Sequence, residues 1–255
     1  MRRPAAVAAA LLVTLCGCAP QSSASAVVVY AAASLRPTFT AIAERFEHDH
    51  PGARVQFDFA SAADLATQLI QGAGADVFAS ADTAQMARVV DAGLVADKPV
   101  TFASNTLAIV TAPGNPQHIE TFADLARPGL AVVVSPAPMP CGVATEEVEK
   151  ITGVHLNPVS EEPDVEDVLN KVATGQADAG LVNVTDAIAA GDKVDTVTFP
   201  EATEAITDYP IAVLRSPTRD ELAQSFVDLV TDGAGQAILH RAGFADTSPS
   251  GLSPR

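Results

Sequence analysis

Four short segments of the chain place hydroxyl groups or free backbone N–H groups where helices are predicted to begin. They are residues 31–37 (AAASLRP), 60–65 (ASAADL), 139–147 (MPCGVATEE) and 162–166 (EPDVE). The first turn of a helix leaves up to four N–H groups without an intrahelical partner, and these carry a partial positive charge. Helix starts that converge in one cleft would form a binding site for a small anion, and the pattern alone leaves open whether these four converge.

The first two segments carry residues that commonly cap helices. Ser34 is predicted to cap the first helix, and Pro37 is tolerated in a first turn because its missing N–H would be unpaired there anyway. Ser61 and Asp64 have the spacing of a capping box. Water or a cap satisfies most helix starts, so one such segment alone does not indicate a ligand.

The third segment contains a potential nucleophile, Cys141. A helix N-terminus can lower the pKa of a thiol, so a cysteine-dependent enzyme is the main alternative from another class of function. The chain has no Gly-x-Ser-x-Gly, no His-Glu-x-x-His and no phosphate-binding loop that would supply partners for catalysis. We therefore expect a binding protein rather than an enzyme.

Strand patterns and helix patterns alternate along the chain. The predicted strands lie at 27–30, 54–59, 76–79, 106–110, 130–135, 180–184, 194–199 and 211–214. Between them the apolar residues follow helical spacing, as at Phe39, Ile42, Ala43 and Phe46. This alternation predicts an α/β fold with parallel sheets covered by helices on both faces, in which ligands bind at the carboxyl ends of the strands.

The middle of the chain is predicted to form a second domain inserted into the first. Domain I would comprise residues 27–104 plus 206–255, and domain II residues 105–205. The chain would cross out near 103–107 and return near 209–213. Two crossings of this kind make a hinge, with a ligand cleft between the domains.

The N-terminus is typical of an exported bacterial lipoprotein. Two arginines precede an apolar run that is too short to cross a bilayer, which needs about 20 residues. Residues 15–18 (LCGC) resemble the lipobox, so residues 1–18 are predicted to be the signal peptide and Cys18 the lipidated residue. Residues 19–26 would form a flexible, serine-containing tether. The alternative is an ordinary cleaved signal peptide with incidental cysteines.

The charge of the chain limits its possible partners. The net charge is −16, and loss of the two signal-peptide arginines would make it −18. Nucleic-acid binding needs basic patches, so we exclude that class of partner. Loss of the signal peptide and lipidation of Cys18 would leave Cys141 as the one free thiol, so we expect no internal disulfide.

Taken together, these motifs resemble the molybdate-binding receptors of bacterial ABC transporters, over nearly all of residues 27–244. The strings that carry the resemblance are AAASL (31–35), FASAADLATQL (59–69), GADVFASAD (74–82), SNTLAIV (104–110), MPCGVAT (139–145), EDVLNKVATGQADAGLVNVTDA (166–187), YPIAVL (209–214) and GQAILHRAGF (235–244). Each string alone is weak, but their order and spacing together are specific.

The resemblance implies the two-domain periplasmic-binding-protein fold of type II, with the ligand cleft between domains joined by a two-strand hinge. It also implies molybdate or tungstate as the ligand, held without a cofactor or a metal cation. The partners would be the permease and ATPase of an ABC importer. The receptor would be a monomer, tethered by its lipid to the outer face of the cytoplasmic membrane.

The resemblance further implies which residues hold the anion. Ser34 would donate through its hydroxyl and its backbone N–H. At the second helix start, either the Ser61 hydroxyl reaches the anion, or Ser61 caps the helix while Ala62 donates its backbone N–H. The family often has a tyrosine hydroxyl at the position of Asn183, which would have to donate through its shorter side-chain amide. The full implied set is Ser34, Ser61, Ala62, Cys141, Val165 and Asn183, with Cys141 and Val165 acting through their backbone N–H groups.

Other small anions remain as alternatives within the same fold. Molybdate and tungstate are larger than sulfate, so a rigid ring of donors can discriminate between them by radius. Phosphate carries a proton near pH 7 and needs an acceptor, which this set lacks unless Asp64 points inward. An organic acid would call for an arginine in the cleft. Arg36 is the arginine beside a predicted helix start, and we expect it to face solvent.

Overall fold

The structure is a computed structural model that describes residues 25–137, 139–215 and 220–245. The predicted signal peptide, the lipidation residue Cys18 and most of the predicted tether lie outside the described residues. The predicted tether at 19–26 is wrong at its last two residues. Ser25 and Ala26 open the first strand, where they pair in parallel with Ala53 and Arg54. Among the described residues, no helix has the length and apolar character needed to cross a membrane.

The described strands form two five-stranded sheets. The first sheet contains β1 (Ser25–Ala32), β2 (Ala53–Ala60), β3 (Val77–Ala79), β4 (Val100–Asn105) and β10 (Thr207–Val213), in the order β2-β1-β3-β10-β4. The second contains β5 (Leu107–Thr111), β6 (Val132–Val134), β7 (Ser160–Glu161), β8 (Ala179–Asn183) and β9 (Asp195–Val197), in the order β7-β6-β8-β5-β9. In the first sheet, β1 pairs in parallel with β2 and β3, and β10 is antiparallel to β3 and β4. In the second sheet, β6 pairs in parallel with β7 and β8, and β5 is antiparallel to β8 and β9.

Helices connect most of these strands. They are α1 (Arg36–Asp49), α2 (Ala62–Ile70), α3 (Thr83–Asp91), α4 (Pro140–Thr152), α5 (Val165–Ala173), α6 (Val184–Ala190), α7 (Asp220–Thr231) and α8 (Gly233–Arg241). Short 3-10 helices lie at Ala33–Leu35, Phe122–Ala126, Gly191–Lys193 and Pro200–Glu204.

Helices cover both faces of the first sheet. On one face, the ring of Phe226 in α7 packs edge-on against Phe39 and Phe46 of α1, at centroid distances of 6.0 and 5.5 Å. On the other face, Leu65 of α2 and Met86 of α3 bury against the sheet. Burial of such side chains provides roughly 25 cal/mol for each Å² of apolar surface removed from water.

The second sheet is covered in the same way, and β5 shows why. Leu107 and Ile109 point to the face covered by α4, whereas Ala108 and Val110 point to the face covered by α5 and α6. Side chains alternate between faces along a strand, so a strand buried on both sides is expected to be apolar at nearly every position, and in β5 only the last residue, Thr111, is polar. The predicted α/β arrangement with helices on both faces is confirmed.

All eight predicted strands are present, with ends that differ from the prediction by no more than four residues. The sequence did not predict β4 or β7. The two-residue β7 is Ser160–Glu161 at the edge of the second sheet, and β4 ends in the polar pair Ser104–Asn105. Both segments are strands because a neighbouring strand pairs with them, which local patterns of apolar residues do not report.

The chain passes between the two sheets twice. It leaves the first sheet at Thr106, between β4 and β5, and returns at residues 205–206, just before β10. The prediction that the chain returns to the first sheet near 209–213 is wrong. That stretch is part of β10 itself, in which Tyr209 pairs with Ala103 and Ile211 with Ala79. The domain boundaries at 105 and 205 stay a prediction.

Candidate oxyanion-binding cleft

One cavity brings together all of the residues that the sequence placed at the ligand. It has a volume of about 220 Å³ and is lined by residues from both sheets. The predicted residues on its wall are Ser34, Ser61, Ala62, Cys141, Val165 and Asn183. Several of them stand where parallel strands end: Ser34 after β1, Ser61 after β2, and Asn183 as the last residue of β8. This is the edge at which open α/β sheets bind their ligands.

Ser34 is positioned differently from the prediction. It lies in the 3-10 helix Ala33–Leu35, and the N-cap of α1 is Leu35, so the expected capping role of Ser34 is wrong. The short 3-10 turn inserts itself between β1 and α1 and shifts the cap by one residue. The Ser34 hydroxyl is therefore not used at the helix end, and its Oγ lies 3.4 Å from the hydroxyl oxygen of Tyr209.

Ser61 does cap its helix. Its Oγ donates to Oδ2 of Asp64 at 2.8 Å and accepts from the Asp64 backbone N–H at 3.1 Å. Both functions of the hydroxyl are thus engaged, and Asp64 is turned to the cap rather than into the cleft. Of the two alternatives for this helix start, the geometry favours the one in which Ala62, the first residue of α2, presents its backbone N–H.

The start of α4 has no side-chain cap. Met139 is the N-cap residue and forms no cap hydrogen bond, and Pro140 at the first helical position has no N–H to satisfy. The next two N–H groups, those of Cys141 and Gly142, belong to the first turn and lack intrahelical acceptors. This helix end therefore presents unshared donors and a partial positive charge to the cavity.

Cys141 is a buried free thiol with 3% of its surface exposed. Burial raises the pKa of this thiol, and the nearby Asp186 carboxylate raises it further, although hydrogen bonds from Asn183 act in the opposite direction. A nucleophilic cysteine needs a lowered pKa. The environment of Cys141 therefore argues against the cysteine-dependent enzyme, and the role of its backbone N–H at the ligand stays a prediction.

At the fourth helix start, α5 begins at Val165 as predicted. Its N-cap is Asp164, whose carboxylate accepts from the backbone N–H of Glu166 at 2.8 Å. Asp82 caps α3 in the same way, accepting from the Gln85 backbone N–H at 2.7 Å. These two carboxylates line the cavity, but both are directed to backbone donors.

The Asn183 side chain is held by its own helix. Its amide Nδ2 donates to Oδ2 of Asp186 at 2.9 Å, and its backbone N–H donates to the same oxygen at 3.2 Å. The Asn183 side chain also forms a hydrogen bond with the thiol of Cys141, so contacts on its own side of the cleft already engage its amide. Its role as a ligand stays a prediction.

Two residues of the cavity wall were not singled out from the sequence. Ser135 follows β6, is 3% exposed, and has a hydroxyl without a hydrogen-bond partner among the described residues. Tyr209 lies in β10 and is completely buried. The position of Ser135 directly after an apolar strand could have indicated from the sequence that it lies at the cavity. The sequence predicted a hinge crossing near Tyr209, but nothing in the local pattern singled out its hydroxyl as part of the cavity wall.

The donor set is uncharged. None of the described residues that line the cavity is a lysine or an arginine. Arg36 is exposed, as expected, and its guanidinium carbon lies 4.4 Å from the centre of the Phe59 ring. Arg36 is therefore not placed to make the bidentate contact to a carboxylate that an organic-acid receptor uses.

Asp186, which accepts hydrogen bonds from Asn183, makes the folding stability of the protein depend on pH. Burial raises the pKa of its carboxyl from 3.8 to about 6, with smaller contributions from the charges of Asp164 and Glu166, and despite the hydrogen bonds from Asn183. The folded protein thus holds this proton more tightly than the unfolded chain. The resulting stability is fully present below pH 4 and is lost as the pH rises through 6.

We expect the Asp186→Asn variant to lose this dependence. Between pH 4 and pH 7 the free energy of unfolding of the wild type should fall by about 2 kcal/mol more than that of the variant, since one pKa unit corresponds to about 1.4 kcal/mol. Urea unfolding at several pH values measures the difference, and Asp192→Asn, at an exposed carboxylate, is the matched control. Parallel pH profiles for the wild type and Asp186→Asn would show the assignment to be wrong.

Comparison with known proteins places the chain in a family. Residues 27–245 match the family described as bacterial extracellular solute-binding protein. The chain is 57% identical over 226 residues to the molybdate-binding protein ModA of Mycobacterium tuberculosis (strain ATCC 25618 / H37Rv), an alignment that covers 89% of this chain and 87% of that protein. These relatives are solute-binding proteins rather than enzymes.

Solved structures show the same fold at lower identity. The periplasmic molybdate-binding protein of Azotobacter vinelandii is similar with a TM-score of 0.74 at 21% identity, covering 87% of this chain and 100% of that one. The sulfate-binding protein SubI from Mycobacterium tuberculosis H37Rv is similar with a TM-score of 0.71 at 23% identity, covering 88% of each chain. The predicted two-domain periplasmic-binding-protein fold is confirmed. The chain belongs to the family of bacterial extracellular solute-binding proteins and is a relative of the ModA proteins.

Proposed function

We propose that this protein captures molybdate, and with it tungstate, in the cleft between its two sheets and delivers the anion to the permease and ATPase of an ABC importer. The observation that carries the proposal is the convergence of all six predicted ligand residues on one cavity of about 220 Å³. The 57% identity to a protein named molybdate-binding supports the choice of anion.

The chemistry of the cavity wall suits a fully ionised tetrahedral oxyanion. Molybdate is a dianion near neutral pH, and its oxygens only accept hydrogen bonds. The Ser34 and Ser135 hydroxyls and the backbone N–H groups of Ala62, Cys141 and Val165 are all donors. Each hydrogen bond to a charged acceptor contributes about 1.5–3 kcal/mol, so five of them can support sub-micromolar affinity after the costs of association.

The absence of a cation from the described cavity wall supports selectivity by size. A lysine would add affinity for any anion, whereas a ring of fixed N–H and O–H donors matches only one radius. Molybdate and tungstate have nearly the same size and exceed sulfate. Phosphate also needs an acceptor for its proton, and the carboxylates of Asp64, Asp82 and Asp164 are engaged with hydroxyl or backbone donors.

The proposed function includes a lipid anchor on Cys18 at the outer face of the cytoplasmic membrane. The LCGC sequence at 15–18 supports this part of the proposal. A monomeric receptor tethered beside its transporter gains effective concentration at the permease. The segment between Cys18 and the start of β1 at Ser25 supplies the reach.

Thermal unfolding with a panel of anions tests the proposed function. The purified protein is heated with molybdate, tungstate, sulfate or phosphate, each at the same concentration. A ligand at 100 times its dissociation constant adds about 2.7 kcal/mol of stability. We expect large and similar shifts with molybdate and tungstate and small ones with sulfate and phosphate. No shift with either molybdate or tungstate would rule the proposal out.

A further inference from the structure

Tyr209 occupies an unusual place between the core and the cleft. Its ring is completely buried in the first sheet, where it packs edge-on against Phe244 and Phe102 at centroid distances of 5.2 and 6.4 Å. Its hydroxyl end reaches the wall of the cavity, and the oxygen lies 3.4 Å from Oγ of Ser34. The apolar packing fixes the ring, so the position of the hydroxyl is set by the core rather than by solvent.

The contact between Tyr209 and Ser34 leaves donor capacity unused. At 3.4 Å it is longer than the usual 2.7–2.8 Å of an O–H···O hydrogen bond. Each hydroxyl has one proton, and only one of the two can donate in this contact. A bound oxyanion offers acceptors alone, so both protons can be directed to it at once.

The Tyr209 hydroxyl keeps its proton throughout the ordinary pH range. Burial raises the pKa of this phenol, and the charges of Asp186 and Cys141 act in the same direction, against the hydrogen bonds from Ser34 and Asn105. A protonated phenol with a fixed ring is a pre-organised donor, which loses little side-chain freedom when the ligand arrives.

We propose that the Tyr209 hydroxyl donates a hydrogen bond directly to the bound oxyanion, beside the hydroxyl of Ser34. This inference rests on the proposed function, because it names a further ligand residue of the same site. It adds a donor from β10, the strand on which the chain returns to the first sheet. The ring of donors then includes a side chain attached to the hinge as well as the helix starts.

The first test is the affinity of Tyr209→Phe, which removes the hydroxyl and keeps the ring that packs on Phe244. We expect molybdate affinity to fall by about 10- to 100-fold, the effect of one hydrogen bond to a charged acceptor. The midpoint of unliganded thermal unfolding should change little. Tyr30→Phe is the matched control, because Tyr30 is the other tyrosine of the chain and is not among the cavity residues. Its affinity should equal that of the wild type.

The second test separates direct contact from an indirect structural effect. The chain has two tyrosines and no tryptophan, so Tyr209 is the only source of the tyrosine absorption band in the Tyr30→Phe variant. Addition of molybdate to that variant should produce a tyrosine difference spectrum that saturates together with binding measured by calorimetry. A structural role alone would lower affinity in Tyr209→Phe without this spectrum.

The outcomes distinguish the inference from the proposed function. If the wild type binds molybdate or tungstate and Tyr209→Phe binds equally well, the role of Tyr209 is wrong and the proposed function stands. Binding without any tyrosine difference spectrum in Tyr30→Phe would also overturn it. If the wild type binds neither of these anions, both proposals fail together.

Discussion

Replacing Gly142 with alanine is expected to abolish high-affinity oxyanion binding and to destabilise the protein by about 3 kcal/mol. Gly142 lies in the first turn of α4, immediately after Cys141. A Cβ at this position would lie 2.3 Å from the carbonyl carbon and oxygen of Pro136 and 2.6 Å from the backbone nitrogen of Ala137. Backbone atoms cannot rotate away as the end of a flexible side chain can.

The clash would separate two parts of the site. The helix start that presents the Cys141 N–H must move away from the segment that follows β6 and contains Ser135. A ring of donors matched to one anion radius loses several contacts when a wall shifts by even an ångström. Affinity should therefore fall by more than the loss of any single hydrogen bond.

Gly74→Ala is the matched control for this substitution. Gly74 also has a backbone conformation open to other residues, and a Cβ added there meets nothing within 4 Å. Urea unfolding and molybdate titration of both variants give the comparison. Wild-type stability together with wild-type affinity in Gly142→Ala would contradict the close approach of α4 to the segment after β6.

The second large effect is expected from Ser34→Ala, which should lower molybdate affinity by about 10- to 100-fold. The Ser34 hydroxyl does not cap α1, and its described side-chain contact is the 3.4 Å approach to Tyr209. Its removal should therefore change the free energy of unfolding by no more than about 0.5 kcal/mol. Ser34→Ala should therefore change affinity with little change in stability, whereas Gly142→Ala should change both.

Ser61→Ala is the informative comparison for Ser34→Ala. The Ser61 hydroxyl caps α2, so its loss should cost about 1 kcal/mol of stability and have the smaller effect on affinity. Calorimetric titration with molybdate and urea unfolding measure both quantities. If Ser61→Ala loses more affinity than Ser34→Ala, the Ser61 hydroxyl is the ligand and the arrangement proposed for this helix start is wrong.

Much of the fold could be predicted because several of its strands, β3, β5, β6 and β8, are buried along their whole length. In β5 the first four residues, 107–110, are apolar, and α1 presents Phe39, Ile42 and Phe46 at helical spacing. The edge strand β7 and the polar end of β4 escaped prediction because their pairing partners, not their own residues, make them strands.

The helix starts of the site were predictable for a similar reason. A helix cap depends on residues that are close together in the sequence, so it can be recognised from the sequence alone. Examples are Ser61 with Asp64, and Pro140 at the first position of α4. The expected cap at Ser34 was wrong because the 3-10 turn that displaces it depends on how β1 meets α1. The place of Tyr209 depends on the pairing of β10 with β3 and β4, which is a property of the folded sheet.

Isothermal titration of molybdate, repeated in the presence of excess sulfate, tests whether uncharged donors from several helix starts hold one large tetrahedral dianion and select it by size. The proposed function predicts one molybdate bound for each chain, with an affinity at least about 100-fold higher than that for sulfate, a difference of about 2.8 kcal/mol. Equal or tighter binding of sulfate, or no heat of molybdate binding, would contradict it.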